Sequence, residues 1–315
     1  MSDTFPDERK QLIKKAYSQL SWAFLVIVLV SNLVAGLIIG FREAYTEAKN
    51  MEQEVSESNT PLLIYSCIGL YIAFIFFHLM TRKMENYNKE KINELSPAEF
   101  LFWLVLTLAS MYLFNLVSVA VNYIIARIKN IDLDSLNPLI NIVQDQSPVT
   151  LIVFVCILQP FLEEVIFRGI ILNKTRQYGE KNAIVYSAIF FGLLHGNLSQ
   201  FFYAVALGLL WGYIAVRTNS IRYTIVLHII TNFVGLLPTM SGNENPILMT
   251  IVFVFMISII TIGIILFIRN IKNVKLSSAN GIEKAEMRKL VYLNPGTIIA
   301  LIILVANLIL TVMLL

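Results

Sequence analysis

Charge is what this sequence has least of. Asp, Glu, Lys and Arg make up 14% of its 315 residues, whereas hydrophobic side chains make up 57% and the mean hydropathy is +0.71. Soluble domains carry about 25% charged residues, so a soluble globular fold is excluded and a membrane protein is implied. Cysteine is almost missing: Cys67 and Cys156 both fall inside apolar runs, which gives neither a disulfide framework nor a thiolate metal site. A basic block is missing as well. The net charge is +3 and the Lys and Arg residues are spread over short loops, so no nucleic-acid-sized patch exists and nucleic acid is not an expected partner. Histidine is scarce, with three residues, and the HExxH pattern of helical zinc proteases does not occur.

Long apolar runs are present instead. Nine are predicted as membrane spans, near residues 19–41, 61–81, 98–126, 148–172, 183–200, 201–216, 222–240, 247–268 and 297–315. A span of this kind crosses a hydrocarbon core of about 30 Å. The expected fold is therefore all-α, a polytopic membrane helix bundle. Only the polar patch "GNLSQ" separates the fifth run from the sixth. The first run is too long, and lacks the flank, for a removable signal peptide. Residues 8–19 are mildly amphipathic and read either as a helix on the inner membrane surface or as a solvated basic tail.

Sorting basic residues by alternate loops gives a lopsided result. Arg42, Lys49, Arg127 and Lys129 fall on one side, and the other 20 of the 24 Lys and Arg residues fall on the opposite side. Basic loops stay in the cytoplasm, which predicts the N-terminus inside and the C-terminus outside.

Against this apolar background three polar constellations stand out. "FLEEVIFRGI" at 161–170 places three charges within a span, where each costs about 2.5–3.5 kcal/mol at the centre of a helix. Glu164 and Arg168 are four apart and can pair on one helical face. Glu163 lies about 100° further round and is free to face something else. "FFGLLHG" at 190–196 sets Phe191 and His195 one turn apart, and "LHIITNF" at 227–233 does the same for His228 and Asn232. At 1.5 Å of rise per residue, Glu163, His195 and His228 lie about 15, 18 and 9 Å from the inner helix ends, which allows one shared layer. Gly192 with Gly196, and Gly208 with Gly212, form GxxxG steps that read either as helix packing or as a substrate groove. Pro160, just before the glutamates, is placed to kink its helix and free a carbonyl.

"EEVIFR" at 163–168, "FGLLH" at 191–195 and "HIITN" at 228–232 match EExxxR, FxxxH and HxxxN in order. That set resembles the CAAX-protease and bacteriocin-processing (CPBP, or Abi) family of intramembrane peptidases over residues 148–240. The resemblance implies a glutamate-dependent intramembrane protease open to the cytoplasmic side, acting on a membrane-associated peptide or protein. It also implies that Glu163 and His195 activate a water while His228 and Asn232 steady the oxyanion. The residue chemistry agrees, since a carboxylate in an apolar pocket can take and return a proton and side-chain N–H groups suit a developing oxyanion. Arg168 would hold Glu164 in place behind them. No cofactor is required on this reading, although Glu163, His195 and His228 could supply a catalytic zinc with its usual three ligands.

The expected organisation is three N-terminal spans in residues 1–147, the family-like core in 148–240 and two further spans in 241–315. The acidic loop at 43–60 reads as solvated surface. Richness in Ile, Asn and Lys points to a bacterial plasma membrane. Two other readings stay open: a non-catalytic scaffold or bacteriocin-immunity protein of the same fold, and a proton-coupled transporter, whose repeated halves are not found here.

Overall fold

The computed structural model describes residues 6–48, 60–87, 91–137, 146–240, 246–277 and 281–314. The regular structure of the described residues is all helical, with no strand among them. We number the helices α1 (Pro6–Ala48), α2 (Thr60–Thr81), α3 (Pro97–Lys129), α4 (Pro148–Tyr178), α5 (Glu180–Leu194), α6 (Leu198–Thr218), α7 (Arg222–Met240), α8 (Pro246–Asn270), α9 (Lys284–Tyr292) and α10 (Pro295–Met313). Seven of them, α1 to α4, α6, α8 and α10, are long and apolar enough to cross a membrane. The runs at 183–200 and 222–240 also form helices, α5 of 15 residues and α7 of 19, the latter as long as α10. The 15 residues of α5 reach only about 22 Å, less than a full hydrocarbon core.

Local sequence sets the boundaries. Ser96 opens α3 with a reciprocal capping box to Glu99, Pro97 fits the first turn, and Asn130 closes the helix in the left-handed conformation. The break between α5 and α6 falls at 195–197 rather than at 200–201 as the hydropathy pattern predicts. Gly196 takes φ +65° and Asn197 caps α6 by accepting from the Gln200 amide, so Ser199 and Gln200 belong to the first turn of α6. Side-chain capping chemistry overrides a polar patch here.

Residues 8–19 are helical and do not form a solvated tail. They are the first turns of α1, with Ile13 and Tyr17 fully buried in the core and Lys14 and Lys15 left exposed. Apolar residues at helical spacing find partners in α9 and α10, where Met287, Val291 and Ala300 are buried, and Lys10 pairs with Glu286 at 2.7 Å. The acidic loop expected at 43–60 lies largely outside the described residues.

The GxxxG alternatives resolve as packing. A Cβ on Gly208 would meet Ala188, one on Gly212 would meet Ile184, and one on Gly192 would meet Val205 and Phe201. These contacts run in antiparallel order along α5 and α6, which fixes how closely the two helices approach. Gly196, past the end of α5, is not part of that interface.

The loops that join these helices gather at two ends. At one, the Tyr87 amide donates to Asn173, Asn93 to Thr218 and Glu180 to Ser277. At the other, Lys129 Nζ donates to the Val312 carbonyl at 2.7 Å and Ser199 to that of Leu136 at 3.0 Å.

Candidate active site

The acidic helix α4 is irregular in a way that shapes the site. Its α-helical segment Gln159–Glu164 sits between two π-helical stretches, Leu151–Leu158 and Val165–Leu172. π stretches in helices are frequent at functional sites. In the first stretch the Gln159 N–H reaches back five residues to the Phe154 carbonyl. The next donor in that register would be residue 160, which is proline and has no N–H. The carbonyl left over is Val155, and Asn232 Nδ2 of α7 donates to it at 2.8 Å. The helix stays continuous through Pro160, so the expected freed carbonyl is present and is taken by a side chain.

Two further carbonyls of α4 are served from neighbouring helices. Tyr71 of α2 donates to Leu158 at 3.0 Å and Ser187 of α5 donates to Phe167 at 3.1 Å. Buried backbone acceptors need such partners, and here the partners also fix α4 in rotation.

Glu164 faces the protein interior. Arg168 Nη1 donates to its Oε1 at 2.8 Å, and both side chains are fully buried. The guanidinium lies 4.4 Å from the Phe191 ring centroid, 5.4 Å from that of Trp211 and 5.9 Å from that of Phe167. Arg168 Nε and Nη2 have no hydrogen-bond acceptor among the described residues, so the aromatic faces supply the compensation. His228 Nδ1 lies 3.1 Å from the same Glu164 oxygen, and its ring packs on Trp211 at 4.5 Å.

Glu163 faces the other way and has no cation of its own. Gln159 Nε2 donates to its Oε1 at 2.9 Å, while its Oε2 lies 3.7 Å from His228 Nε2. It is 3% exposed. His228 thus stands between the two carboxylates, one ring nitrogen toward each.

His195 reaches the cluster from the end of α5. Its amide bonds to Gly192, which releases the Phe191 carbonyl, and His195 Nδ1 lies 2.9 Å from that carbonyl oxygen. A carbonyl only accepts, so Nδ1 carries the proton and Nε2 of the neutral ring presents a lone pair. Both imidazoles stand edge-on to one ring: Phe191 is 5.2 Å from His195 and 5.8 Å from His228. His195 is partly exposed.

The structure therefore brings Arg168, His195 and His228 around Phe191, with Glu164 on Arg168 and Glu163 beside His228, and places Asn232 on the α4 backbone. The sequence reading missed Gln159, Tyr71 and Trp211. Gln159 carries a signal, the same four-residue spacing to a glutamate that exposed Arg168; Tyr71 and Trp211 carry none. The zinc alternative does not fit this arrangement. Among the described residues no three His, Cys, Asp or Glu side chains converge as metal ligands, Glu163, His195 and His228 included. The Glu163 oxygens are directed to Gln159 and His228, and His228 Nδ1 to Glu164.

The helix bundle thus holds a buried acid pair and two imidazoles that share one aromatic ring. Residues 145–234 match the family model described as Rce1-like, type II CAAX prenyl endopeptidase Rce1-like. The matched segment begins just before α4 and ends two residues beyond Asn232, and it contains every motif that carried the CPBP resemblance. No curated protein and no solved structure matches the chain.

Proposed function

We propose that this protein is an intramembrane endopeptidase of the CAAX-protease type that hydrolyses a peptide bond of a membrane-associated peptide or protein. The observation that carries this reading is Glu163: a nearly buried carboxylate without a cation, oriented by Gln159 and flanked by His228, with His195 on the same aromatic ring. In this reading Glu163 takes a proton from a water while the hydroxide adds to the scissile carbonyl carbon, and the proton passes to the leaving nitrogen as the C–N bond breaks. His195, with its Nε2 lone pair, orients that water. The second N–H of the Asn232 amide donates to the oxyanion, and the His228 ring, held by Glu164 through Nδ1, stands beside it. Glu164 and Arg168 hold His228 in place from behind.

The excess of basic residues on one set of predicted loops, 20 of 24, supports an N-terminus and an open side of the site in the cytoplasm, and the residue composition favours a bacterial plasma membrane. The chain divides accordingly into helices before residue 148, the catalytic core at 148–240 and helices after it.

The test is cleavage of fluorogenic peptides by the purified protein in proteoliposomes, with matched prenylated and unprenylated C-terminal sequences. Cleavage that is lost in Glu163→Gln supports the proposal, and survival of cleavage in a chelator supports the metal-free step. Equal cleavage by wild type and Glu163→Gln overturns the assignment of the base. Specific binding of these peptides without turnover returns the protein to the scaffold class.

A further inference from the structure

Two glutamates adjacent in sequence are held by different chemistry, and the difference lies in a residue outside all three motifs. Arg168 holds Glu164 with a charge, whereas Gln159 holds Glu163 with a neutral amide, at 2.8 and 2.9 Å respectively. A guanidinium beside a carboxylate favours its ionised form and so weakens it as a proton acceptor. A carboxamide donates a hydrogen bond without adding charge and does not titrate.

We propose that Gln159 is the positioning residue of Glu163, fixing the rotamer of the base with a neutral donor so that its second oxygen stays directed at the reacting water and His228. This deepens the proposed function and rests on Glu163 acting as the base. Gln159 and Glu163 are the first and fifth residues of Gln159–Glu164, the α-helical segment between the π stretches, where side chains four apart stand one above the other. Asn232 on Val155 and Tyr71 on Leu158 pin the backbone on its N-terminal side. Gln159 is partly exposed and Glu163 is not, so the amide stands on the accessible side of a buried acid.

An ordinary surface hydrogen bond between residues four apart would contribute only to helix stability, and the following variants separate the two roles. Gln159→Leu, which loses the donor, is expected to lower kcat about tenfold with KM unchanged, equivalent to about 1.4 kcal/mol of barrier. Gln159→Asn, one methylene shorter and still polar, is expected to fold as wild type and to lose as much. Gln159→Lys keeps a donor and adds a cation; it is expected to be no more active than Gln159→Leu, whereas a purely structural role lets lysine rescue. A second readout needs no turnover. The infrared carboxylate band assigned to Glu163 by difference from Glu163→Gln is expected to shift in Gln159→Leu. Wild-type kcat in Gln159→Asn, full activity in Gln159→Lys, or an unmoved band overturns the proposal. If wild type cleaves no peptide, the reading of the function fails on its own and the band still decides whether Gln159 orients Glu163.

Discussion

The two faces of α4 obey different physics. On one, Glu164 and Arg168 are sealed from solvent, neutralise each other and are walled by Phe167, Phe191 and Trp211. On the other, Glu163 has an amide and an imidazole for company and no full counter-charge. Burial alone does not distinguish them, because both are nearly inaccessible. Compensation does: the second glutamate of the pair has a guanidinium on it and the first has not, which is why the proposed base is Glu163.

The largest expected effect breaks this contrast on the reactive face. Glu163→Gln keeps the size and the hydrogen-bonding capacity of the side chain but cannot take a proton. Cleavage is expected to fall by about 10²–10⁴-fold, with the thermal midpoint in detergent close to wild type. His195→Ala belongs beside it, since the ring lies against Phe191 at the end of α5 and carries no backbone load beyond the Phe191 carbonyl.

On the sealed face the expectation reverses, with stability lost first. Arg168→Leu leaves Glu164 buried without its cation, a change that costs about 3–5 kcal/mol when one partner of a buried pair is removed. The double variant Glu164→Leu, Arg168→Leu removes both charges and is expected to recover most of that loss, as measured by unfolding in mild detergent. A double variant as unstable as the single one would show that the aromatic box, and not the ion pair, dominates.

The motifs were legible because membrane chemistry makes polar residues conspicuous and because a four-residue spacing survives any helix register close to 3.6. Glu164 with Arg168, and Phe191 with His195, meet as the spacing predicts. The nine apolar runs all became helices, yet α5, with 15 residues, falls short of a full crossing, since hydropathy counts apolar residues and does not see where a cap ends the helix. The break at His195 depends on Asn197 and on the left-handed Gly196, which no average over a window detects. The π stretches of α4 were not legible either. They depend on which side chains from α2, α5 and α7 arrive to serve the displaced carbonyls.

A packing prediction of intermediate size follows from the α5–α6 contact. Gly208→Ala puts a methyl 2.8 Å from Ala188 Cα, where backbone must move, and is expected to destabilise by about 1–3 kcal/mol. Gly235→Ala on α7 meets nothing within 4 Å and serves as the control; it is expected to be neutral or stabilising by up to about 1 kcal/mol. Equal effects at both positions would remove close approach as the reason for the glycines.

The smallest expected effect asks whether helices outside the matched segment 145–234 reach into the site. Tyr71 belongs to α2, before that segment, and its hydroxyl serves the Leu158 carbonyl directly ahead of Gln159. Tyr71→Phe keeps the ring and its packing while leaving that carbonyl without its donor, which is worth about 0.5–1.5 kcal/mol. If α2 helps to set the rotation of α4, kcat falls severalfold along with the thermal midpoint, because Gln159 and Glu163 turn with the same backbone. A lower midpoint at unchanged kcat would make α2 a scaffold that supports the bundle without tuning the glutamate.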